Sequence, residues 1–152
     1  MSWQMALVGA IGAATYQQQG AIGKYNQNIA NRESQVLEGQ AEQIEEKKEF
    51  DIAQFDKKFQ QVEGETKVEL SKSGVVQGTG TAYRIEMANA LEAELQRRLI
   101  AYNAKIASDK KLEEAKFAVI RGGIQRQQAK LAQLNTITSV GTTLLTMNKG
   151  TA

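Results

Sequence analysis

The chain has 152 residues, with 19 Lys+Arg against 17 Asp+Glu, and it contains no proline, cysteine or histidine. Without Cys and His, disulfides, thiolate zinc sites, Cys–His and Ser–His–Asp nucleophiles and the Glu-x-x-His di-iron pattern are all excluded. Without proline, the commonest helix breaker is missing and very long helices are permitted, while 6% aromatic and 41% hydrophobic residues are lean for a compact core.

Residues 1–23 open the chain without a charge. The run from Met5 to Ala14 is apolar, but at ten residues it is about half the length that crosses a bilayer. No Lys or Arg precedes it, so it does not read as an ordinary secretory signal. Ala6, Ala10 and Ala14 fall on one helical stripe with Gly9 and Ala13 beside it, a spacing that lets another helix approach closely. A poorly ordered tail is the other reading of this segment. Trp3, Leu7, Val8 and Ile11 are the candidate anchor, for a partner protein or for a lipid surface.

Residues 24–72 read as one long helix. Leu37, Ala41, Ile44, Ile52, Phe55, Phe59, Val62 and Leu70 recur about every 3.6 residues, the period of an amphipathic helix. Glu, Gln and Lys fill the other faces. At 1.5 Å per residue such a helix reaches roughly 70 Å, which predicts an elongated molecule.

The pattern stops at residues 73–81, where Gly74, Gly78 and Gly80 are incompatible with a stable helix. Gly74 is placed to cap the first helix in the left-handed conformation, and Thr79 or Thr81 to start the second. Val75, Val76 and Gln77 can lie extended against a neighbour. Gly74, Val75, Val76, Gly78 and Gly80 are therefore the candidate docking loop. A nucleotide loop is not indicated: no Lys follows the glycines as a P-loop requires, and Tyr83 stands where the dinucleotide fingerprint needs glycine.

Residues 82–135 read as a second long helix. Ile85, Ala88, Leu91, Leu95, Leu99, Tyr102 and Ile106 recur about every 3.5 residues, the coiled-coil period. The stripe resumes at Phe117, Ile120, Ile124, Leu131 and Leu134, with a kink or break expected at Gly122-Gly123. Residues 136–152 form a Thr-rich tail that is uncharged apart from Lys149 and carries no clear helical signal.

Charge follows this division. Residues 1–75 hold 11 acids and 8 bases, and residues 76–152 hold 6 acids and 11 bases. The net charge of +2 makes no bulk case for nucleic acid. No acid follows Glu114, however, so Lys116, Arg121, Arg126 and Lys130 are candidates to contact DNA phosphates or an acidic partner. Glu42, Glu45, Glu46 and Glu49, and the Glu113-Glu114 pair, read as solvated helix faces because no second motif converges on them.

The expected fold is all-α: an elongated hairpin of two long amphipathic helices joined by a glycine-rich loop. One hairpin cannot cover both apolar stripes, so copies or a larger partner are expected to bury the rest. Phe55, Phe59, Leu91, Leu95, Leu99 and Tyr102 are the candidate packing residues of that oligomer. No catalytic residue, cofactor, metal or small-molecule substrate is expected.

The Ala6–Ala14 opening, the turn Leu70-Ser-Lys-Ser-Gly-Val75 followed by Gly78-Thr-Gly-Thr81, the helix Ala90–Ala104 and the small-residue stretch Ser139–Leu145 occur in that order. In this texture the chain resembles the small internal core, or DNA-ejection, proteins of short-tailed bacteriophages. Thr79 and Thr81 stand where relatives tend to carry serine, and longer relatives have a charged carboxyl-terminal extension that this chain lacks. The resemblance implies a non-enzymatic virion protein inside the capsid near the portal, stacked with other internal core proteins. It also implies departure with the genome and a part in a conduit across the host envelope, where lipid becomes a partner. A head–tail connector or scaffold-type coiled coil with no membrane step, and a DNA-contacting virion protein, are the alternatives.

Overall fold

A computed structural model describes residues 3–149, with side chains over 4–147. Among these residues the chain is all-helical and has no strand: α1 spans Trp3–Lys72 and α2 spans Gly80–Lys149, each of 70 residues. Residues 73–79 join them, as a helical hairpin requires.

Local chemistry explains where the helices stop. Leu70 C=O accepts from the Val75 N–H at 3.2 Å and Ser71 C=O from the Gly74 N–H at 3.2 Å, with Gly74 at φ 76°. This is the paired hydrogen-bond pattern of a helix that ends on a left-handed residue, and only glycine adopts it without steric cost. Gln77 ties the loop back, donating from Nε2 to Lys67 C=O at 3.2 Å and to Ser71 Oγ at 2.8 Å. Thr79 C=O accepts the first bond of α2 from the Tyr83 N–H, while the Thr79 hydroxyl donates to Val76 C=O. That hydroxyl is turned into the loop and does not cap α2. Val75–Gln77 forms no strand.

Three expectations about helix limits change. α1 is already helical at Trp3, well before Lys24, because Ala and Gln support a helix as well as charged residues do. α2 runs through Gly122-Gly123 without a break. Residues 136–149 are helical rather than irregular, and Thr136, Thr138, Thr142 and Thr143 each donate a hydroxyl to the carbonyl four residues back. Those bonds satisfy polar side chains that otherwise compete with the helix.

The chain divides into two compact units, Met1–Leu37 with Glu113–Ala152, and Glu38–Leu112. In the first, α1 and α2 meet through small residues. Gly12, Gly23, Ala30 and Ser34 are buried from α1, and Ala115, Ala118 and Gly122 from α2. A Cβ placed on Gly122 would lie 2.5 Å from Ala30 Cβ and 3.6 Å from Gln27 Cα, and one on Gly23 would lie 2.6 Å from Ala129 Cβ. The helices touch backbone to backbone there, which accounts for the continuous helix through Gly122: close packing offsets the weak propensity of glycine.

The second unit is built unequally. α2 contributes the buried residues Ala82, Ala93 and Ser108, whereas α1 contributes Ala41 with the larger, half-buried Ile44, Ile52, Phe55, Phe59 and Leu70. Ser108 Oγ donates to Ala41 C=O at 3.5 Å. Phe55 and Phe59 stack with ring centroids 6.4 Å apart. Arg97 Nε donates to Asp56 Oδ1 at 2.5 Å, and that carboxylate raises the Arg97 pKa above its ordinary value.

Candidate assembly surface

Every buried residue among those described is Gly, Ala or Ser. Burying a methyl group is worth about 0.8 kcal/mol, whereas covering a Leu, Ile or Phe is worth roughly 1.5–3 kcal/mol. The fully buried positions therefore hold the weakest apolar groups of the chain; in the 38–112 unit α1 half-buries larger residues, and α2 leaves its largest outside.

In the 38–112 unit the exposed residues follow from helix geometry. Ala93, Arg97, Ile100 and Ala104 face α1, and a residue two positions on is turned about 200° away from them. Leu91, Leu95, Leu99, Tyr102 and Ile106 accordingly point outward and are 59%, 60%, 52%, 63% and 51% exposed. These are the large residues of the 3.5-residue stripe read from sequence, and they lie on the face opposite the intrachain contact. The α1 stripe behaves differently: Phe55 and Phe59 are half-buried, turned toward α2. The outward apolar residues of α1 are Phe50 and Val68, about five turns apart, while the exposed Val62 lies about 120° round the helix from Phe50, at the edge of the intrachain contact; Phe50, like Val68, was not in the sequence reading. Its signal was position alone, two residues after Lys48 and two before Ile52 on the inward face.

In the other unit Leu7 and Ile11 are exposed and Val8 is half-buried, while the Trp3 side chain lies outside the described residues. Phe117, Ile120, Ile124, Leu131 and Leu134 are all exposed on α2. An open groove lies beside them, lined by Glu33, Leu37, Phe117, Ile120, Arg121 and Ile124. A second, more apolar groove is lined by Gly12, Tyr16, Ile137, Val140 and Leu144.

Of the four basic candidates of α2, Arg126 and Lys130 line one pocket together with Lys24 of α1, and Lys116 and Arg121 lie outside it. Lys116, Arg121, Arg126 and Lys130 are exposed, but Arg121 stands 3.8 Å from Glu33 Oε1 and Arg126 Nη1 donates to Gln27 Oε1 at 2.7 Å. Two of the four are thus turned to neighbours on α1. In the loop, Gly74, Val75, Val76, Gly78 and Gly80 are exposed, and the three glycines have positive φ. Among the described residues no group of three or more acids gathers as a metal site, and no helix is long and apolar enough to cross a membrane.

Compared with known proteins, the chain matches no family model, and no curated protein and no solved structure matches it.

Proposed function

We propose that this protein is a structural subunit that works by assembling with copies of itself and with partner proteins, and that it catalyses no reaction. The observation that carries this reading is the inversion described above: small residues are inside, and Leu91, Leu95, Leu99 and Tyr102 are outside on one continuous face. An enzyme needs convergent polar groups in a cleft, whereas a subunit that is completed by its neighbours needs this arrangement.

The particular assembly proposed is the internal core or ejection apparatus of a short-tailed phage virion, near the portal. In this role the protein delivers the genome through the host envelope. Support comes from the order of sequence features noted above and from their fit to long helices with unfinished apolar faces. Exposed Leu7 and Ile11 suit contact with partner proteins, and with lipid after ejection. A second reading, contact with DNA, has support from Lys116 and Lys130, which are exposed in a stretch without acids. It is weakened by the engagement of Arg121 and Arg126.

Sedimentation tests the assembly. Wild-type protein is expected well above 16.7 kDa, and Leu95→Asp, a change at an exposed site that leaves the hairpin intact, is expected to sediment as a monomer. A Leu95→Asp protein that forms the wild-type oligomer refutes this use of the stripe. Flotation with liposomes separates the ejection role from a connector role, since only the former needs lipid binding. Imaging of purified particles places the chain beside the portal or elsewhere.

A further inference from the structure

In the 38–112 unit α2 carries an apolar outer face, whereas the outer face of α1 is charged around the exposed Phe50, and the two helices differ in net charge. Residues 38–72 of α1 hold ten acids and six bases, while residues 80–112 of α2 hold four acids and six bases. If like helices met, α1 against α1 or α2 against α2, net charges of the same sign would be brought together. Contact between unlike helices brings opposite net charges together.

The register sharpens this. The intrachain pairs Arg97–Asp56 and Ser108–Ala41 fix which level of α1 lies opposite each level of α2. In that register Tyr102 is level with Phe50, Leu99 with Ala53, Leu91 with Val62 and Met87 with Gly64. Phe50 and Tyr102 are 61% and 63% exposed, on the outward faces of their helices. No heavy atom lies within 4 Å of where a Gly64 Cβ would sit, so the α1 surface is open there, level with the 51% exposed Met87. Exposed charges of opposite sign stand at the same level in Lys105 with Glu46 and Glu49; Glu94, level with Lys57, also pairs with Arg98 of its own chain. Leu95 falls beside Lys57, whose aliphatic stem can cover it.

We infer that copies of this chain associate head-to-tail through this unit, the outer face of α2 in one copy packing on the outer face of α1 in the next, with Tyr102 against the neighbour's Phe50. The neighbour stands level with the first copy, as rotation about an axis parallel to the two helices produces. Such a contact is heterologous: a pair of copies keeps one free α1 face on one copy and one free α2 face on the other, so assembly continues beyond two. The inference rests on the self-assembly proposed above and adds which faces meet and in which register.

Complementation tests it directly. Phe50→Asp removes the α1 face and Tyr102→Asp the α2 face, both at exposed positions. Each variant alone should be a monomer, and an equal mixture should give a dimer, because one intact pair of faces remains. If Phe50→Asp assembles like wild type while Tyr102→Asp does not, α2 meets α2 and the inference is overturned, although self-assembly stands. If the wild type is itself a monomer at every concentration, both fail. The absence of cysteine from the chain allows a second readout. Phe50→Cys/Tyr102→Cys should oxidise to a ladder of covalent multimers while neither single variant crosslinks to itself. Efficient crosslinking of Tyr102→Cys alone contradicts the head-to-tail register.

Discussion

Gly122 and Gly123 are adjacent, both inside α2, and a general propensity argument treats them alike. Replacing either with alanine favours the helix by about 1 kcal/mol. Their surroundings differ. A Cβ on Gly123 has no neighbour within 4 Å, whereas one on Gly122 would lie 2.5 Å from Ala30 Cβ and 3.6 Å from the Gln27 backbone. Ala30 Cβ is bonded directly to its backbone and cannot rotate away, so the helices must separate, an overpacking cost of roughly 1–3 kcal/mol. Gly123→Ala should therefore stabilise by about 1 kcal/mol, and Gly122→Ala should be neutral or destabilising by up to about 2 kcal/mol after the propensity term is subtracted. Thermal unfolding followed by far-UV circular dichroism, at one fixed protein concentration because association shifts the midpoint, resolves the difference. Each kcal/mol corresponds to about 2–4 °C at this chain length. Ala30→Gly should cost about 1 kcal/mol alone and less in the Gly122→Ala background, where it relieves the contact. Equal stabilisation by both alanines, with no coupling to position 30, would refute close backbone packing in this unit.

Gly74→Ala should destabilise by about 1 kcal/mol, measured by urea unfolding, because an L-residue pays that much in the left-handed region; an unchanged midpoint contradicts the cap described at the end of α1. Ser108→Leu should lower stability by about 1–3 kcal/mol through overpacking against Ala41, read in the same titration, with a neutral result contradicting the tight contact. Lys48 Nζ lies 2.5 Å from Glu45 Oε2, and that hydrogen bond raises its pKa. Its contribution is therefore complete below the ordinary lysine value of about 10.4 and fades as pH rises through the raised value. Melting curves of wild type and Lys48→Met should converge at strongly alkaline pH, and a difference that grows with pH contradicts that sign.

The two-helix architecture was legible because its causes are local. Absent proline, abundant Glu, Gln, Lys and Ala, and Gly74 ahead of Val75 set both helices and the turn between them. The intrachain face was harder to read in α2. Periodicity weighted by hydrophobicity selects Leu91, Leu95, Leu99 and Tyr102, yet Ala82, Ala93 and Ser108 are the residues that face α1. Small residues permit close approach without announcing themselves on a hydropathy scale, and α2 is apolar on two opposite faces. For α1 the same method found the inward stripe, Phe55 and Phe59 included, because there the inward residues are also large. Gly122-Gly123 was read as a break because propensity counts glycine as a cost and cannot register the contact with Ala30 that only glycine allows. Phe50 was missed for a related reason: it is a single large residue on an otherwise charged face, and its counterpart, Tyr102, belongs to the other helix.

The central claim is that a hairpin whose buried residues, among those described, are Gly, Ala and Ser alone is completed by other copies. Solution mass measured by sedimentation equilibrium across a dilution series tests it most directly. Species at multiples of 16.7 kDa are expected at micromolar concentration, dissociating on dilution with loss of helical signal. A single 16.7 kDa species at all concentrations, fully helical and resistant to heating, contradicts it.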